Sequence, residues 1–185
     1  MRLHPKEILF RQGETGPLYR VKSGMLKIMR IHEDGTPFLV NLIAPGEIIP
    51  HHSLVTQQPY HGTAIALTTT ELDVIPSEEW YAELSRDNNK CLEVAELLQS
   101  RLRTMQQRID QLTQVAPADK LDKLRAWLND IAGAGAGPIT EILTQDEIAQ
   151  FIGLRRETVN RLLRAKSKSA VQPPHEQAPE RSDEH

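Results

Sequence analysis

The chain has 185 residues, of which 39% are hydrophobic, and its formal net charge is −3. This composition predicts a soluble globular protein of one or two domains, and neither a long apolar run nor a signal-peptide pattern indicates a membrane span or secretion. The single cysteine, Cys91, excludes an internal disulfide and an iron–sulfur cluster with four cysteine ligands from one chain, and it suits a reducing cytosol.

The first 76 residues have the pattern of a β-domain. Short runs of branched and apolar residues alternate there with turn signals, and Asp34-Gly35 is a strong hairpin turn. Regular spacing of this kind predicts a closed barrel or a sandwich. The predicted strands cover residues 8–10, 18–21, 25–28, 38–43, 63–67 and 71–75.

Three histidines, His51, His52 and His61, stand at the two sides of one predicted loop. Their imidazoles could ligate a transition metal or a haem iron. Their spacing fits no standard metal motif, however, and the adjacent His51 and His52 tend to point apart. Ordinary surface histidines are therefore the alternative interpretation.

A helix is predicted from Ser77, and it leads into the longest periodic segment. Apolar positions recur there at alternating spacings of four and three residues, which is the pattern of a heptad seam. The seam residues are Cys91, Ala95, Leu98, Leu102, Met105, Ile109 and Leu112. Because so long a helix needs a partner in water, we favour a coiled coil between two chains. Packing of the stripe on the chain's own β-domain is the alternative.

Pro117 ends this helix and is the candidate hinge. A second amphipathic helix is predicted after it, with its apolar stripe at Leu121, Leu124, Trp127, Leu128 and Ile131. It runs into the alternating Ala-Gly segment 132–138, which predicts a flexible connector.

The segment from Leu143 to Lys166 predicts two helices joined by a tight turn. Thr144 and Glu147 have the spacing of a capping box, and Gly153 suits the end of the first helix. A second helix begins near Arg155. This is the layout of a helix-turn-helix, whose second helix enters the DNA major groove. An ordinary helical hairpin with solvated charges is the alternative.

The polar face of the second helix carries groups that suit DNA. Arginine near the helix start can bridge O6 and N7 of guanine, and Glu157 can accept a hydrogen bond from N4 of cytosine. Arg161 and Arg164 lie later, where phosphate oxygens are the nearer partners. Residues 144–168 hold six basic side chains against three acidic ones, so the local charge is positive. The face consists of Arg155, Arg156, Glu157, Asn160, Arg161 and Arg164.

The run 156–161, Arg-Glu-Thr-Val-Asn-Arg, follows a turn glycine and resembles the recognition helix of the CRP/FNR family of bacterial transcription regulators. The resemblance implies that Arg156, Glu157 and Arg161 contact base edges, with Thr158 at the same interface. It also implies that Thr144 and Gln145 contact the DNA backbone. The chain departs from the family at Arg155, where serine is usual.

For residues 1–86 the resemblance implies the double-stranded β-roll of the cyclic-nucleotide-binding domain, matched by the spacing of Gly13, Gly24 and Gly46. Nucleotide-binding members open their phosphate cassette with a Gly-Glu pair, which Gly46 and Glu47 match. They close it with Arg-Ser or Arg-Thr.

Here Gly62 takes the place of that arginine, before Thr63. A cyclic phosphate would lack its fork of donors, so cyclic AMP is not the expected effector. Arg101 aligns with a helix position that reaches toward the effector in relatives. Haem and metal binding are also known on this scaffold, and the effector itself is not identified by the sequence.

The resemblance ends after the recognition helix, where the family continues into a β-hairpin wing. Residues 169–185 instead predict a disordered acidic tail, because three prolines and four acidic residues stand there against one arginine. A missing wing predicts weaker DNA binding than in complete relatives. The alternative function is therefore a wing-less sensor or dimerisation protein that acts through a ligand or a heterodimer.

The sequence as a whole predicts an α+β fold with four parts: a β-roll (jelly-roll) sensor over 1–86, a dimerisation helix over 87–116, a helix-turn-helix domain without a wing over 117–168, and a tail over 169–185. The predicted function is a dimeric, sequence-specific, cytoplasmic transcription regulator. The expected partners are palindromic double-stranded DNA, a second copy of the chain, a small-molecule effector and RNA polymerase. No catalytic triad, phosphate loop or paired catalytic acids indicate an enzyme.

Overall fold

Eight short strands occupy residues 1–75 of the protein, and helices follow them in a computed structural model that describes residues 1–114, 116–132 and 138–169. The strands are β1 (Arg2–Leu3), β2 (Ile8–Phe10), β3 (Leu18–Ser23), β4 (Leu26–Ile31), β5 (Pro37–Ile43), β6 (Ile48–Ile49), β7 (Thr63–Ala66) and β8 (Thr70–Ile75). The helices in the described ranges are α1 (Ser77–Arg86), α2 (Asn88–Gln114), α3 (Pro117–Ala132), α4 (Ile139–Ile142), α5 (Gln145–Ile152) and α6 (Arg156–Ser169).

The strands form two antiparallel four-stranded sheets, in the orders β1-β8-β3-β6 and β2-β7-β4-β5. Buried side chains of both sheets share one apolar core, which is the arrangement of a β-roll. The core includes Leu3, Val21 and Leu72 from the first sheet and Phe10, Leu26 and Ala64 from the second. The predicted α+β fold with an N-terminal β-roll is confirmed.

All six predicted strands overlap observed ones, but β1 and β6 are missed by the sequence pattern. Each has two residues, too few for any periodicity to be visible. They exist because longer strands offer them partners: Leu3 pairs with Thr70, and Ile49 pairs with Tyr19.

Helices α1 and α2 attach to the roll through a small separate core. Trp80 of α1 is buried, and its Nε1 donates a hydrogen bond to the carbonyl oxygen of Leu54 at 2.9 Å. Val94 of α2 is buried in the same cluster, together with Leu18 and Ile48 of the roll. The first turns of α2 are therefore fixed on the sensor, and the rest of the helix projects from that anchor.

Helices α3 to α6 pack around a third apolar cluster that also includes part of the roll. Met25, Leu39 and Leu42 of the roll join it. The helical members are Leu121, Leu124 and Leu128 of α3, Ile139 of α4, Leu143, Ile148, Ala149 and Ile152 around α5, and Val159 of α6. The four helices are thus docked on the roll through shared apolar burial.

Two predicted segments fall largely outside the described residues. The Ala-Gly connector coincides with residues 133–137, and the acidic tail coincides with residues 170–185. Helix α4 follows the connector directly and is missed by the sequence pattern, because a single turn gives no period. No helix within the described ranges is long and apolar enough to cross a bilayer.

Gly24 and Gly35 both have a positive φ, of 79° and 85°, but their surroundings differ. A Cβ at position 24 would lie 2.2 Å from the carbonyl oxygen of Thr69, whereas one at position 35 would meet nothing within 4 Å. We expect Gly35→Ala to lower the free energy of unfolding by about 1–2 kcal/mol through backbone strain. We expect Gly24→Ala to cost about 1–3 kcal/mol more through overpacking. Urea denaturation of both variants checks this, and equal losses would contradict it.

Candidate functional site

The turn between α5 and α6 is built as the sequence predicts. Thr144 Oγ1 accepts a hydrogen bond from the backbone N–H of Glu147, and Glu147 Oε2 accepts one from the backbone N–H of Thr144 at 2.9 Å. Gly153 follows α5 in the left-handed conformation, with φ 66°. The capping box and the glycine end are both confirmed, and they fix the angle at which α6 leaves the turn.

Helix α6 begins at Arg156, one residue after the predicted start. Val159 of this helix is fully buried, so the opposite face of the helix points outward. Thr158 and Asn160 are half-buried at the edges of this face, Gln145 is half-buried and Thr144 is exposed. The exposed side chains of the face are Arg155, Arg156, Glu157, Arg161 and Arg164.

The guanidinium of Arg156 is held only lightly. Its Nε lies 3.6 Å from Oδ1 of Asp146, and both side chains are more than half exposed. An exposed ion pair of this kind contributes at most about 1 kcal/mol. Arg156 is therefore oriented by α5 but can exchange Asp146 for another acceptor at small cost.

Two polar contacts hold α5 on the roll. The backbone N–H of Leu39, in strand β5 at the end of its sheet, donates a hydrogen bond to Gln150 Oε1 at 2.7 Å. The ammonium of Lys27 in β4 contacts the carboxylate of Glu147, and the two side chains are only 19% and 11% exposed. We call these two contacts the docking contacts.

Burial alone would raise the pKa of Glu147. The hydrogen bonds from Lys27 and from the backbone of Thr144 outweigh that effect and leave the pKa below its ordinary value of 4.5. The carboxylate is therefore ionised at neutral pH, so its contact with Lys27 is an ion pair.

A cavity of about 820 Å³ lies between the roll, α2, α3 and α5. Of the predicted effector residues, Gly62 and Arg101 line it. Glu47 stands behind the wall, where its Oε2 lies 3.2 Å from Arg101 Nη1 and 3.0 Å from His51 Nε2. Arg101 thus reaches the cassette as the resemblance implies, and its partner there is Glu47.

Burial raises the pKa of Glu47, but the contacts with His51, with the N–H of Ala44 and with Arg101 bring it below its ordinary value. Gly46 lies in the turn before Glu47, with φ 88°. Thr63 Oγ1 accepts a hydrogen bond from the N–H of Gln12 at 3.1 Å, so this hydroxyl is used within the roll.

Gly62 is closely packed against β4. A Cβ at this position would lie 2.7 Å from Ile28 Cγ2 and 2.8 Å from the carbonyl oxygen of Met29. An arginine could not be placed here without moving that strand.

The described residues do not bring the three predicted histidines together as one set of metal ligands, and haem binding stays a prediction. His51 pairs with Glu47, while the rings of His52 and His61 stack face to face, with centroids 3.8 Å apart. His52 Nε2 also lies 3.1 Å from the carbonyl oxygen of Pro59. Within the described ranges no group of three or more histidine, cysteine, aspartate or glutamate side chains is arranged to hold a metal ion.

The predicted seam of α2 divides into two parts. Leu102, Met105 and Ile109 are 57%, 53% and 58% exposed, and Cys91 and Ala95 are also exposed. Leu98 is half-buried against the α1–α2 core, and Leu112 lies against Gly153. The stripe does not fold back on the roll as a whole, because the roll-facing side of α2 is centred on Val94.

Several residues of the site escape sequence reasoning. Lys27 and Gln150 dock the helices, and Lys120, Lys123 and Trp127 line the cavity. Trp127 is visible in the sequence only as part of an apolar stripe. Nothing in the local pattern indicates that this end of the stripe faces open space, since the cavity is created by the docking itself.

Residues 1–87 match the cyclic nucleotide-binding domain family, and residues 122–169 match the Crp-like helix-turn-helix domain family. The Cyclic AMP receptor protein of Thermus thermophilus is 31% identical over 172 residues, which cover 92% of this chain and 78% of that protein. The CRP-like cAMP-activated global transcriptional regulator of Mycobacterium tuberculosis is 31% identical over 164 residues, covering 84% of this chain and 71% of that protein.

Solved structures of the same architecture superpose well. A CRP-family transcriptional regulator from Thermus thermophilus gives a TM-score of 0.72 at 21% identity, covering 92% of this chain and 86% of that one. FixK2 from Bradyrhizobium japonicum gives a TM-score of 0.72 at 17% identity, covering 92% and 85%. At these identities the likeness is one of fold.

The contact between Lys27 and Glu147 can be tested by a double-mutant cycle at neutral pH. We expect Lys27→Met to cost about 1–3 kcal/mol of unfolding free energy, because a nearly buried carboxylate loses its partner. Glu147→Gln in the same background should recover part of that loss, since glutamine can still complete the capping box. Lys22→Met, which removes an exposed partner of Asp73, is the matched control. Additive single losses would contradict the contact.

The same contact predicts a pH dependence. Because the folded pKa of Glu147 is lowered, its stabilising contribution is complete above 4.5 and is lost as pH falls through the folded value. Lys27→Met removes the largest lowering contact, so it should cost less at about pH 3.5 than at about pH 7. Chemical unfolding at the two pH values measures this difference.

Proposed function

The chain belongs to the CRP/FNR family of transcription regulators and is a DNA-binding regulator, and we propose that it acts as a dimer that reads a palindromic operator. The observation that carries the proposal is the outward polar face of α6. Burial of Val159 on the opposite side of the helix and the turn at Gly153 before the helix fix the orientation of this face. A helix presented in this way can enter the major groove by its N-terminal end.

Within that face the proposed roles follow distance from the helix start. Arg156 and Glu157 stand in the first turn and are assigned to base edges, with Thr158 beside them. Arg161, one turn later, is assigned to a base edge by the resemblance and lies within reach of phosphate as well. The backbone-positioning residues are Thr144, Gln145, Arg155, Asn160 and Arg164.

We assign dimerisation to α2. Leu102, Met105 and Ile109 form a stripe of large apolar side chains that are more than half exposed in the single chain. Covering such a stripe with the same stripe of a second copy is the ordinary solution for a heptad helix. Two α6 helices would then face successive major grooves about 34–36 Å apart.

The proposed division of labour follows the element boundaries. Residues 1–86 form the sensor, 87–116 the dimerisation helix and 117–168 the reading domain, which begins where α3 begins at Pro117. RNA polymerase is the further proposed partner, and the cytosol is the proposed location.

The sensor's effector is proposed to be a small molecule other than cyclic AMP, although two relatives carry cAMP in their names. The cassette position that the family fills with arginine holds Gly62, which is packed against β4. Arg101 of α2, which lines the cavity, is already paired with Glu47. The cassette therefore offers a cyclic phosphate neither an arginine at position 62 nor an unpaired Arg101.

The dimer can be tested by adding a charge to the stripe. We expect Leu102→Glu to shift the protein from dimer to monomer, because the two new carboxylates would oppose each other across the seam. Ser100→Glu adds the same charge at an exposed position of α2 away from the seam, and it should leave the dimer intact. Light scattering after size exclusion measures the mass, and a wild-type monomer at working concentration would contradict the proposal.

DNA reading can be tested with a duplex selected from a random library by the wild-type protein. We expect Arg156→Ala to weaken binding to that duplex by about 10- to 100-fold and to relax base preference at one position of each half-site. Arg164→Ala, on the same helix, should weaken binding to selected and scrambled duplexes about equally and lower the salt slope by about 1.

Fluorescence anisotropy at increasing salt measures both effects. Equal affinity of the wild-type protein for selected and scrambled duplexes would contradict sequence-specific reading. An absence of binding even at low salt would favour a protein that acts through a ligand or a heterodimer.

A further inference from the structure

The cavity beside the cassette lies between two parts of the protein. One wall comes from the roll and α2, with Ile28 and Met105 among its members. The opposite wall comes from α3 and α5, with Trp127 and Phe151. Its volume of about 820 Å³ falls within the range of roughly 300–1,000 Å³ that small-molecule sites occupy.

The walls are mainly apolar and partly aromatic. The rings of Trp127 and Phe151 lie with centroids 6.3 Å apart and an interplanar angle of 19°. Ile28 from the roll and Leu112 from α2, both half-buried, add aliphatic surface. An occupant with a hydrophobic body would remove this surface from water.

The charged groups of the walls all have one sign. Among the described residues, four permanently cationic side chains and three histidines line the cavity, and no aspartate or glutamate does. The cations are Arg30, Arg101, Lys120 and Lys123. Glu47, which is not among the lining residues, pairs with Arg101 and with none of the other three cations. An acidic group on the occupant would therefore pair with positive charge that no carboxylate of the described lining residues neutralises. A neutral occupant would displace water from the same cations without giving them a partner.

We infer that this cavity binds a hydrophobic organic carboxylate that bridges the sensor and the reading domain. The inference rests on the proposed effector-sensing function and names the chemical class of the effector. The apolar body packs between Trp127 and the roll, and the carboxylate pairs with the cations at the wall. Arg101 is already paired with Glu47, and Gly62 stands where a nucleotide cassette has its arginine, so we assign the acid as a carboxylate and not as a cyclic phosphate.

A bridging occupant has a consequence for regulation. Since the two walls belong to parts that the docking contacts join, the bound acid stabilises the docked arrangement relative to any arrangement that opens the cavity. The ligand therefore raises the population of the docked arrangement, and with it one position of α6, to the extent that it binds this arrangement more tightly than the open one.

The test uses the 185-residue chain and cis-parinaric acid, a fluorescent carboxylate with an apolar chain. Dodecanoate and dodecan-1-ol, which share a chain and differ in charge, compete for the bound probe. We expect dodecanoate to displace the probe about tenfold or more better than the alcohol does, the ratio that one charge-assisted contact gives. Cyclic AMP should not displace it.

Two variants locate the site. Lys123→Gln removes an exposed wall cation, and we expect it to weaken probe binding about tenfold while leaving the unfolding midpoint unchanged. Trp127→Ala removes an aromatic wall and should weaken binding of acid and alcohol alike. Lys22→Gln removes an exposed lysine on the far sheet and should leave binding as in the wild type.

Each other result overturns the inference. Equal displacement by acid and alcohol would remove the role of charge, unchanged affinity in Lys123→Gln would move the site elsewhere, and displacement by cyclic AMP would make this a nucleotide site.

DNA anisotropy on the same preparations separates the two proposals. Specific DNA binding without probe binding overturns only the carboxylate site, and probe binding without DNA binding overturns only the regulatory function.

Discussion

The carboxylate of Glu147 is the point at which the start of the reading helix pair and its attachment to the sensor meet. One oxygen accepts the backbone N–H of Thr144 and completes the capping box, while the other contacts the ammonium of Lys27 in β4. Because one side chain serves both purposes, α5 cannot leave the roll without breaking the contact to Lys27, yet it keeps its cap when it leaves. A movement of α5 away from the roll would therefore break the contact with Lys27 and leave the capping box intact.

A second carboxylate, Glu47, ties α2 to the roll. Its Oε2 contacts both Arg101 of α2 and His51, its Oε1 accepts the N–H of Ala44, and its lowered pKa keeps it ionised at neutral pH. The cavity lies between the two helices that these carboxylates tether. An occupant of that space acts on both tethers at once, which gives a physical path from sensor to reader that needs no rearrangement of the roll itself.

The parts of this structure that the sequence predicts are those in which a local pattern is sufficient. The capping box, the left-handed Gly153 and the six longer strands each depend on residues a few positions apart. Contacts such as Lys27 with Glu147, 120 residues apart in the chain, leave no local pattern. The three histidines illustrate the same limit. Their closeness along the chain suggests a shared metal ion, whereas the fold pairs His51 with Glu47 and stacks His52 on His61.

Two functions are proposed for α2, dimerisation and a part in the effector cavity, and both involve the same segment of the helix. Met105 belongs to the exposed stripe and also lines the cavity, and Leu112 lines the cavity while lying against Gly153 of the reading domain. The seam available to a second chain is thus centred on Leu102, Met105 and Ile109, and its lower end is already packed on the chain's own turn. A change in the cavity alters the surface on which Met105 and Leu112 rest, and the turn that aims α6 rests on the same leucine. The proposed effector sensing, dimerisation and DNA reading would therefore be coupled through fewer than three turns of one helix, from Met105 to Leu112.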